Sequence, residues 1–313
     1  MILPEPSATT ADAPPAPRIA LADWRLPVAG KAAVELAART GADAVQLDLG
    51  GPGRADWLDA PGSVAALRET AEATGVELAA LSGNLLNDIG LTAPEGSAPA
   101  DLVRTTLLRL LDTATALGVP LVFVPSFRRS AIDSASDLRR TATVLAWAAR
   151  EAADRNLLLA SENALSPTDS RDLVEAVASP AFRLLLDTYN PRAAGVDVPE
   201  LIRVNAPWIC GQVHLKDGLR GEGGGVPLGG GDGRLTETLT ALASYAVPVG
   251  TLVVETDHRG SPAGRPPAGP GSTDLMATDL VATDPLATDP LAADIAWSRR
   301  HAGILRHPTE GTS

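Results

Sequence analysis

Eight short apolar runs recur along this chain with helical stretches between them, and that alternation constrains the fold more than any other feature. The runs are RIALAD (18–23), AVQLDL (44–49), VELAAL (76–81), PLVFVPS (120–126), NLLLASE (156–162), RLLLD (183–187), ICGQVHL (209–215) and GTLVVET (250–256). Ala- and Leu-rich segments of helical spacing lie between them, among them GKAAVELAARTG (30–41) and DLRRTATVLAWAAREAADR (137–155). The runs are apolar almost throughout, as in the strands of a parallel sheet covered on both faces. Gly41, Gly75 and Gly118 each stand just before the next run, where a helix end favours a left-handed residue. Eight strands alternating with helices predict an α/β chain closed into a single-domain (β/α)8 barrel. A doubly wound open sheet fits less well, because no G-x-G-x-x-G follows the first run. The Gly-rich GEGGGVPLGGGDG (221–233) comes after the seventh run, lacks the Lys-Ser/Thr of a phosphate loop, and reads as a flexible loop.

Two segments fall outside the rhythm. Residues 1–16, rich in Pro, Ala and Thr, read as a disordered leader ahead of a barrel over 17–308. Residues 261–293 begin Pro/Gly-rich and then repeat Ala-Thr-Asp units at a period that is neither helical nor extended, so a flexible insertion is expected there. Those aspartates lack the spacing and glycine of a calcium loop. A last helix is expected over 294–306.

The aromatic share is only 3% beside 45% hydrophobic residues, so the core must be aliphatic. The formal charge of −12 repels phosphate backbones and anionic lipid, which argues against nucleic acid and membrane as partners. No apolar run reaches the ~18 residues of a membrane span, and the first residues lack a basic and apolar export pattern. A soluble, cytoplasmic protein is expected. The single cysteine, Cys210, lies in an apolar run and reads as a buried structural thiol.

The ends of the last four runs carry Glu162, Asp187, His214 and Glu255, where packing alone would place an aliphatic residue or a turn former. In a parallel barrel the strand C-termini converge on one face. Three carboxylates and an imidazole suit a hard or borderline divalent ion, and such a set leaves positions open for substrate oxygens. A sugar or polyol with adjacent carbonyl and hydroxyl oxygens could chelate that ion, which would acidify the neighbouring C–H and stabilise an enediolate. A glutamate on either side could move the proton.

These residues resemble the sugar phosphate isomerase/epimerase superfamily, the xylose isomerase-like TIM barrels. The likeness rests on Glu162 in LLLASEN, Asp187 in LLLDTYN, His214 in QVHLKD and Glu255 in LVVETD, together with the H-x-K-D run and P-L-G-x-G (227–231). It implies that these four side chains hold one divalent metal, Mn²⁺ first with Mg²⁺, Co²⁺ or Zn²⁺ as alternatives. It also implies that Glu162 and Glu255 are the catalytic proton-transfer pair, and that Arg220, six residues after His214, contacts substrate oxygens. Asn190 stands where the epimerases often have a histidine on a substrate oxygen; it can hydrogen-bond there but carries no proton. Lys216 and Asp217 are further candidates for contact with substrate. A metal-dependent sugar, keto-sugar or inosose isomerase or epimerase is the expected function, on a small-molecule substrate and in a homodimer or homotetramer. An inosose-type dehydratase or a non-catalytic sugar-binding barrel is the alternative. The three-zinc DNA-repair endonucleases of the same barrel need more than four histidines and a basic groove. Among the remaining polar and aromatic residues, Trp24, Asp48 and Asn84 are candidates to line the pocket, His258 lies close in sequence to Glu255, and His301 and His307 are expected to be solvated.

Overall fold

The structure, a computed structural model, describes residues 15–261 and 289–306. The expected leader (1–16) and insertion (261–293) therefore lie almost wholly outside the described residues, as does His307. Eight parallel strands form the frame: β1 Arg18–Ala22, β2 Ala44–Asp48, β3 Glu77–Ser82, β4 Leu121–Pro125, β5 Leu158–Glu162, β6 Phe182–Asp187, β7 Ile209–Leu215 and β8 Thr251–Val254. They close in the order β1-β8-β7-β6-β5-β4-β3-β2, with β1 pairing both β2 and β8. A helix follows each strand: α1 Lys31–Thr40, α2 Ser63–Thr74, α3 Ala98–Leu117, α4 Ala135–Ala153, α5 Pro167–Val177, α6 Val198–Asn205, α7 Leu235–Ser244 and α8 Pro290–His301. This is a single-domain TIM barrel, and each expected strand falls within two residues of its observed bounds.

The strands are uniformly apolar, yet the barrel sorts them by parity. Ile19 and Leu21 of β1, Val45 and Leu47 of β2, and Leu252 and Val254 of β8 join the large cluster under the helices. Ala20, Ala22, Ala44 and Val253, on the opposite parity, form a separate small cluster with Ala79. Leu121, Phe123, Ala160, Leu185 and Cys210 form another. Successive side chains of a strand point to opposite faces, so the second set fills the barrel interior. Alanines there leave room for one aromatic wall, made of Phe123 and Trp24 with ring centroids 5.8 Å apart. Burial pushes the Cys210 thiol up to about 11, consistent with an inert packing role.

Helix ends follow the expected chemistry. Gly41 and Gly118 adopt φ of 74° and close α1 and α3 with backbone bonds into the last turn. The last helix starts earlier than the expected 294. Asp289 caps it by accepting from the Leu291 N–H, and Pro290 occupies its first turn, where a missing N–H costs nothing. That cap had been counted as part of the Ala-Thr-Asp repeat. Among the described residues no helix is long and apolar enough to cross a membrane.

Candidate metal centre and active site

The inward parity of β5, β6, β7 and β8 carries on to the strand ends. Ala160 leads to Glu162, Leu185 to Asp187, Cys210 and Gln212 to His214, and Val253 to Glu255. The four side chains therefore meet over the barrel axis. Each offers one ligand atom within 4.8 Å of the others, and none is more than 4% exposed. His214 Nδ1 lies 3.3 Å from Glu255 Oε2 and 3.7 Å from Glu162 Oε1. His214 Nδ1, Asp187 Oδ2 and Glu255 Oε2 are all buried without a hydrogen-bond partner. Asp187 Oδ2 faces the Lys216 ammonium, and Glu255 Oε2 faces that ammonium and the His214 ring, so all three atoms have lone-pair capacity left for a further partner. The donor set and its inward-facing lone pairs fit a divalent cation.

The opposite side of each ligand is held. Asp187 Oδ1 accepts from the N–H groups of Tyr189 (2.7 Å) and Asn190 (2.6 Å), a side-chain turn that leaves Oδ2 facing the cluster. Glu255 Oε1 accepts from Trp24 Nε1 at 3.0 Å and Arg25 Nε at 3.2 Å, which turns Oε2 inward. Asn190 Nδ2 donates to Glu162 Oε1 at 3.0 Å, while Asn190 Oδ1 accepts from Lys216 Nζ at 3.3 Å. Lys216 follows His214 by two residues, so the same parity sends its ammonium into the site. Nζ lies 2.7 Å from Glu255 Oε2 and 3.1 Å from Asp187 Oδ2, close enough for ion pairing though not aligned as a donor.

Electrostatics at the cluster reflects this crowding. Burial raises the Asp187 carboxyl to about 6 against the pull of Lys216. Burial opposes charge on Lys216, but Asp187, Glu255 and Glu162 outweigh it and hold the ammonium above the ordinary lysine range. Burial likewise opposes charge on His214, and the carboxylates of Glu162 and Glu255 reverse that, raising it to about 9. Glu255 resists burial too: Lys216, His214 and Arg25 keep its carboxylate well below the usual range. The three carboxylates thus face Lys216, Arg25 and a protonated His214, and an entering divalent ion would take the place of the His214 proton.

Other candidate residues are placed differently. Asp217, of opposite parity to Lys216, turns away from the cluster. Its Oδ1 accepts from the N–H groups of Gly218 and Gly233 (2.9 Å each), its Oδ2 from those of Gly229 and Gly231 (3.0 Å each). The Gly-rich stretch expected to be flexible is thus tied to one buried carboxylate. Gly218 also packs so closely on Tyr189 that an added Cβ would come within 2.3 Å of the ring. Arg220 does not join the cluster. The hairpin of Gly218–Leu219 and Glu222–Gly223 carries it to the surface, exposed and with φ of 55°, and its guanidinium makes no hydrogen bond or ion pair among the described residues. His258 Nε2 pairs with Asp294 of α8 at 3.0 Å, and His301 stacks on Trp297 with centroids 4.0 Å apart instead of standing in solvent.

Three site residues were not anticipated. Gln46 and Gln212 sit on the inward parity of β2 and β7, behind His214, and Arg25 follows β1 directly. His214 Nε2 lies 2.8 Å from Gln46 Oε1, Gln46 Nε2 donates to Gln212 Oε1 at 2.7 Å, and Gln212 Nε2 donates to the Ala79 carbonyl at 2.8 Å. The available signal was two amides inside otherwise apolar strands, in phase with His214.

Residues 34–276 match the family described as xylose isomerase-like TIM barrel. The chain is 53% identical over 242 residues to the 2-epi-5-epi-valiolone 7-phosphate 2-epimerase of Actinoplanes sp. strain SE50/110, spanning 77% of this chain and 88% of that protein. Among solved structures, a xylose isomerase domain protein from Planctomyces limnophilus superposes with a TM-score of 0.65 at 22% identity, covering 79% of this chain and 91% of that one. D-psicose 3-epimerase with D-tagatose from Clostridium cellulolyticum H10 superposes with a TM-score of 0.61 at 18% identity, covering 76% and 85%. The buried cluster at the strand ends, the closed barrel and the matching family profile agree: the chain belongs to the xylose isomerase-like TIM barrel family.

Proposed function

We propose that this barrel is a metal-dependent epimerase of a phosphorylated keto-cyclitol or keto-sugar, inverting the carbon next to a carbonyl. Its 53% identity to an epimerase sets it in the isomerase class. The observation that carries the finer reading is the pair Glu162 and Glu255, brought to one cation site from strands on either side of β6 and β7.

Glu162, Asp187, His214 and Glu255 would hold Mn²⁺, which when bound would polarise the substrate carbonyl and acidify the adjoining C–H. Glu255, ionised and with Oε2 turned toward the cluster, is placed to accept the proton from that carbon. Glu162, from β5, would deliver a proton drawn from solvent to the opposite face while the proton on Glu255 passes to solvent, which inverts the centre. Asn190 cannot relay a proton; its amide fixes Glu162 Oε1, and its oxygen steadies Lys216. The Lys216 ammonium can donate to a substrate oxygen at the centre. Phe123 packs edge-on against His214 with centroids 5.2 Å apart, and with Trp24 it forms an aromatic wall beside the cluster.

The test is incubation of the Mn²⁺-loaded protein with 2-epi-5-epi-valiolone 7-phosphate in ²H₂O. One deuterium should enter at the inverted carbon, and Glu162→Gln and Glu255→Gln should each abolish inversion. Absence of exchange from the loaded wild type would refute the reading, and release of water with an unsaturated product would replace it with a dehydratase.

A further inference from the structure

A cavity of about 950 Å³ opens beside the cluster, between the loops that follow β1 and β2. Trp24 lines it and also donates to Glu255 Oε1 at 3.0 Å, so this one side chain joins the cavity wall to the cation site. Three cations line its wall: Lys31, Arg54 and Arg259. Lys31 is paired with Glu35, and Arg259 makes two bonds to Asp257, at 2.8 and 2.5 Å. Arg54 faces two carboxylates yet keeps the most donors to spare. Its single side-chain hydrogen bond runs from NH2 to Asp88 Oδ2 at 2.9 Å, NH1 stands 3.6 Å from Asp48, and Nε is buried without a partner.

The other Asp88 oxygen holds a second guanidinium, Arg128, at 3.0 Å. Arg128 follows β4 with φ of 53°, a left-handed backbone unusual for a side-chain-bearing residue. Three loops thus bring two arginines to one carboxylate at the barrel mouth, in a chain whose net charge is −12. Guanidinium forks in pairs are matched to a dianionic phosphate. Of the three carboxyls in this wall, Asp23, Asp48 and Asp56, burial first and then Asp48 pushes Asp23 up to about 8, which removes one of the three negative charges at neutral pH.

We propose that Arg54, with Arg128 joined to it through Asp88 just outside the lining, forms the phosphate-binding end of the substrate cavity, while the carbonyl end lies at the Glu162–Glu255 cluster. The assignment rests on the epimerase reading above and adds to it the residues that select a phosphorylated substrate.

The test compares kcat/KM for 2-epi-5-epi-valiolone 7-phosphate and for the same ketone without phosphate, in Mn²⁺-loaded wild type, Arg54→Met, Arg54→Lys and Arg128→Asn. Arg54→Met should lower the phosphorylated value by about 100-fold, and by at least about tenfold more than it lowers the unphosphorylated one. Arg54→Lys, which keeps the charge and loses the fork, should fall between. Arg128→Asn should cost about tenfold; the side chain is exposed and asparagine tolerates the left-handed backbone, so this variant folds even where Arg54→Met does not. Equal losses on both ketones, or a wild type that treats them alike, would overturn the assignment. Should the wild type turn over neither ketone, the epimerase reading fails, and calorimetric titration with inorganic phosphate decides the subsite alone. Binding by the wild type that weakens at least about tenfold in Arg54→Met sustains it, and no binding or equal binding overturns it.

Discussion

Gln46 Oε1 lies 2.8 Å from His214 Nε2, and the chain of amides behind it fixes which imidazole nitrogen faces the cluster. The Ala79 carbonyl can only accept, so Gln212 must present its NH₂ there and its oxygen to Gln46. Gln46 in turn presents its own oxygen to His214, which therefore donates from Nε2 and keeps the Nδ1 lone pair for a metal.

Gln46→Leu breaks that chain without touching a ligand. Loss of such an orienting bond typically weakens metal binding by about 10–100-fold. The Mn²⁺ dissociation constant, measured by titration of the dialysed protein, should rise by that factor. An unchanged constant would mean that the imidazole is oriented by packing against Phe123 and Trp24 alone.

Metal binding should also depend on pH in a defined direction. Without metal, His214 titrates at about 9, because Glu162 and Glu255 overcome the opposing effect of burial. Ligation needs a neutral Nδ1, so at neutral pH a proton must leave as the ion enters. Mn²⁺ affinity should therefore rise by about tenfold per pH unit from 6 upward and level off near 9. Calorimetry in buffers of different ionisation enthalpy should count about one proton released per ion at pH 7. A flat profile would show that His214 is already neutral.

The barrel and its four clustered polar residues were legible because alternation is a local property: each of the four ends an apolar run, and the run's parity places it inward. Lys216 was legible for the same reason, two residues past His214. What escaped depends on turns or on partners distant in sequence. Asp217 differs from Lys216 by one residue, and that residue reverses its direction from the cluster to the loop. Arg220 lies beyond a hairpin whose path its spacing from His214 does not reveal. Gln46 and Gln212 meet across 166 residues, and within their own strands each looks like an isolated polar interruption. The start of the last helix was hidden because Asp289 caps it from inside a repeat of similar aspartates.

The placement of Asp217 separates two roles by experiment. Four backbone N–H groups converge on its carboxylate, so Asp217→Ala strips them together. Each unmatched group costs about 1–3 kcal/mol where water cannot reach it, and local opening relieves that cost. Proteolytic cleavage within 218–233 should rise by at least about tenfold, with global unfolding free energy lowered by only about 1–3 kcal/mol. A contact with substrate would instead raise KM and leave the cleavage rate alone.

Asp23 gives the protein a pH dependence of stability that a single substitution isolates. Burial, and then the nearby Asp48, pushes its carboxyl from the ordinary 3.8 up to about 8, against the N–H groups of Gly30 and Asp48 that favour ionisation. Between those two values the folded chain holds a proton that the unfolded chain has released. The contribution of Asp23 is therefore complete below pH 3.8 and is lost as pH rises through about 8. The slope in that window approaches about 1.4 kcal/mol per pH unit. Asp48, pushed up to about 6 chiefly by burial, slopes the same way at lower pH, but it is present in both proteins and largely cancels in a comparison. The unfolding free energy of metal-free Asp23→Asn, minus that of the wild type, should thus grow by about 1.4 kcal/mol per unit from pH 5 to 7 in urea titrations. A difference that stays constant across that range would place Asp23 in its ionised form, held by its two backbone donors.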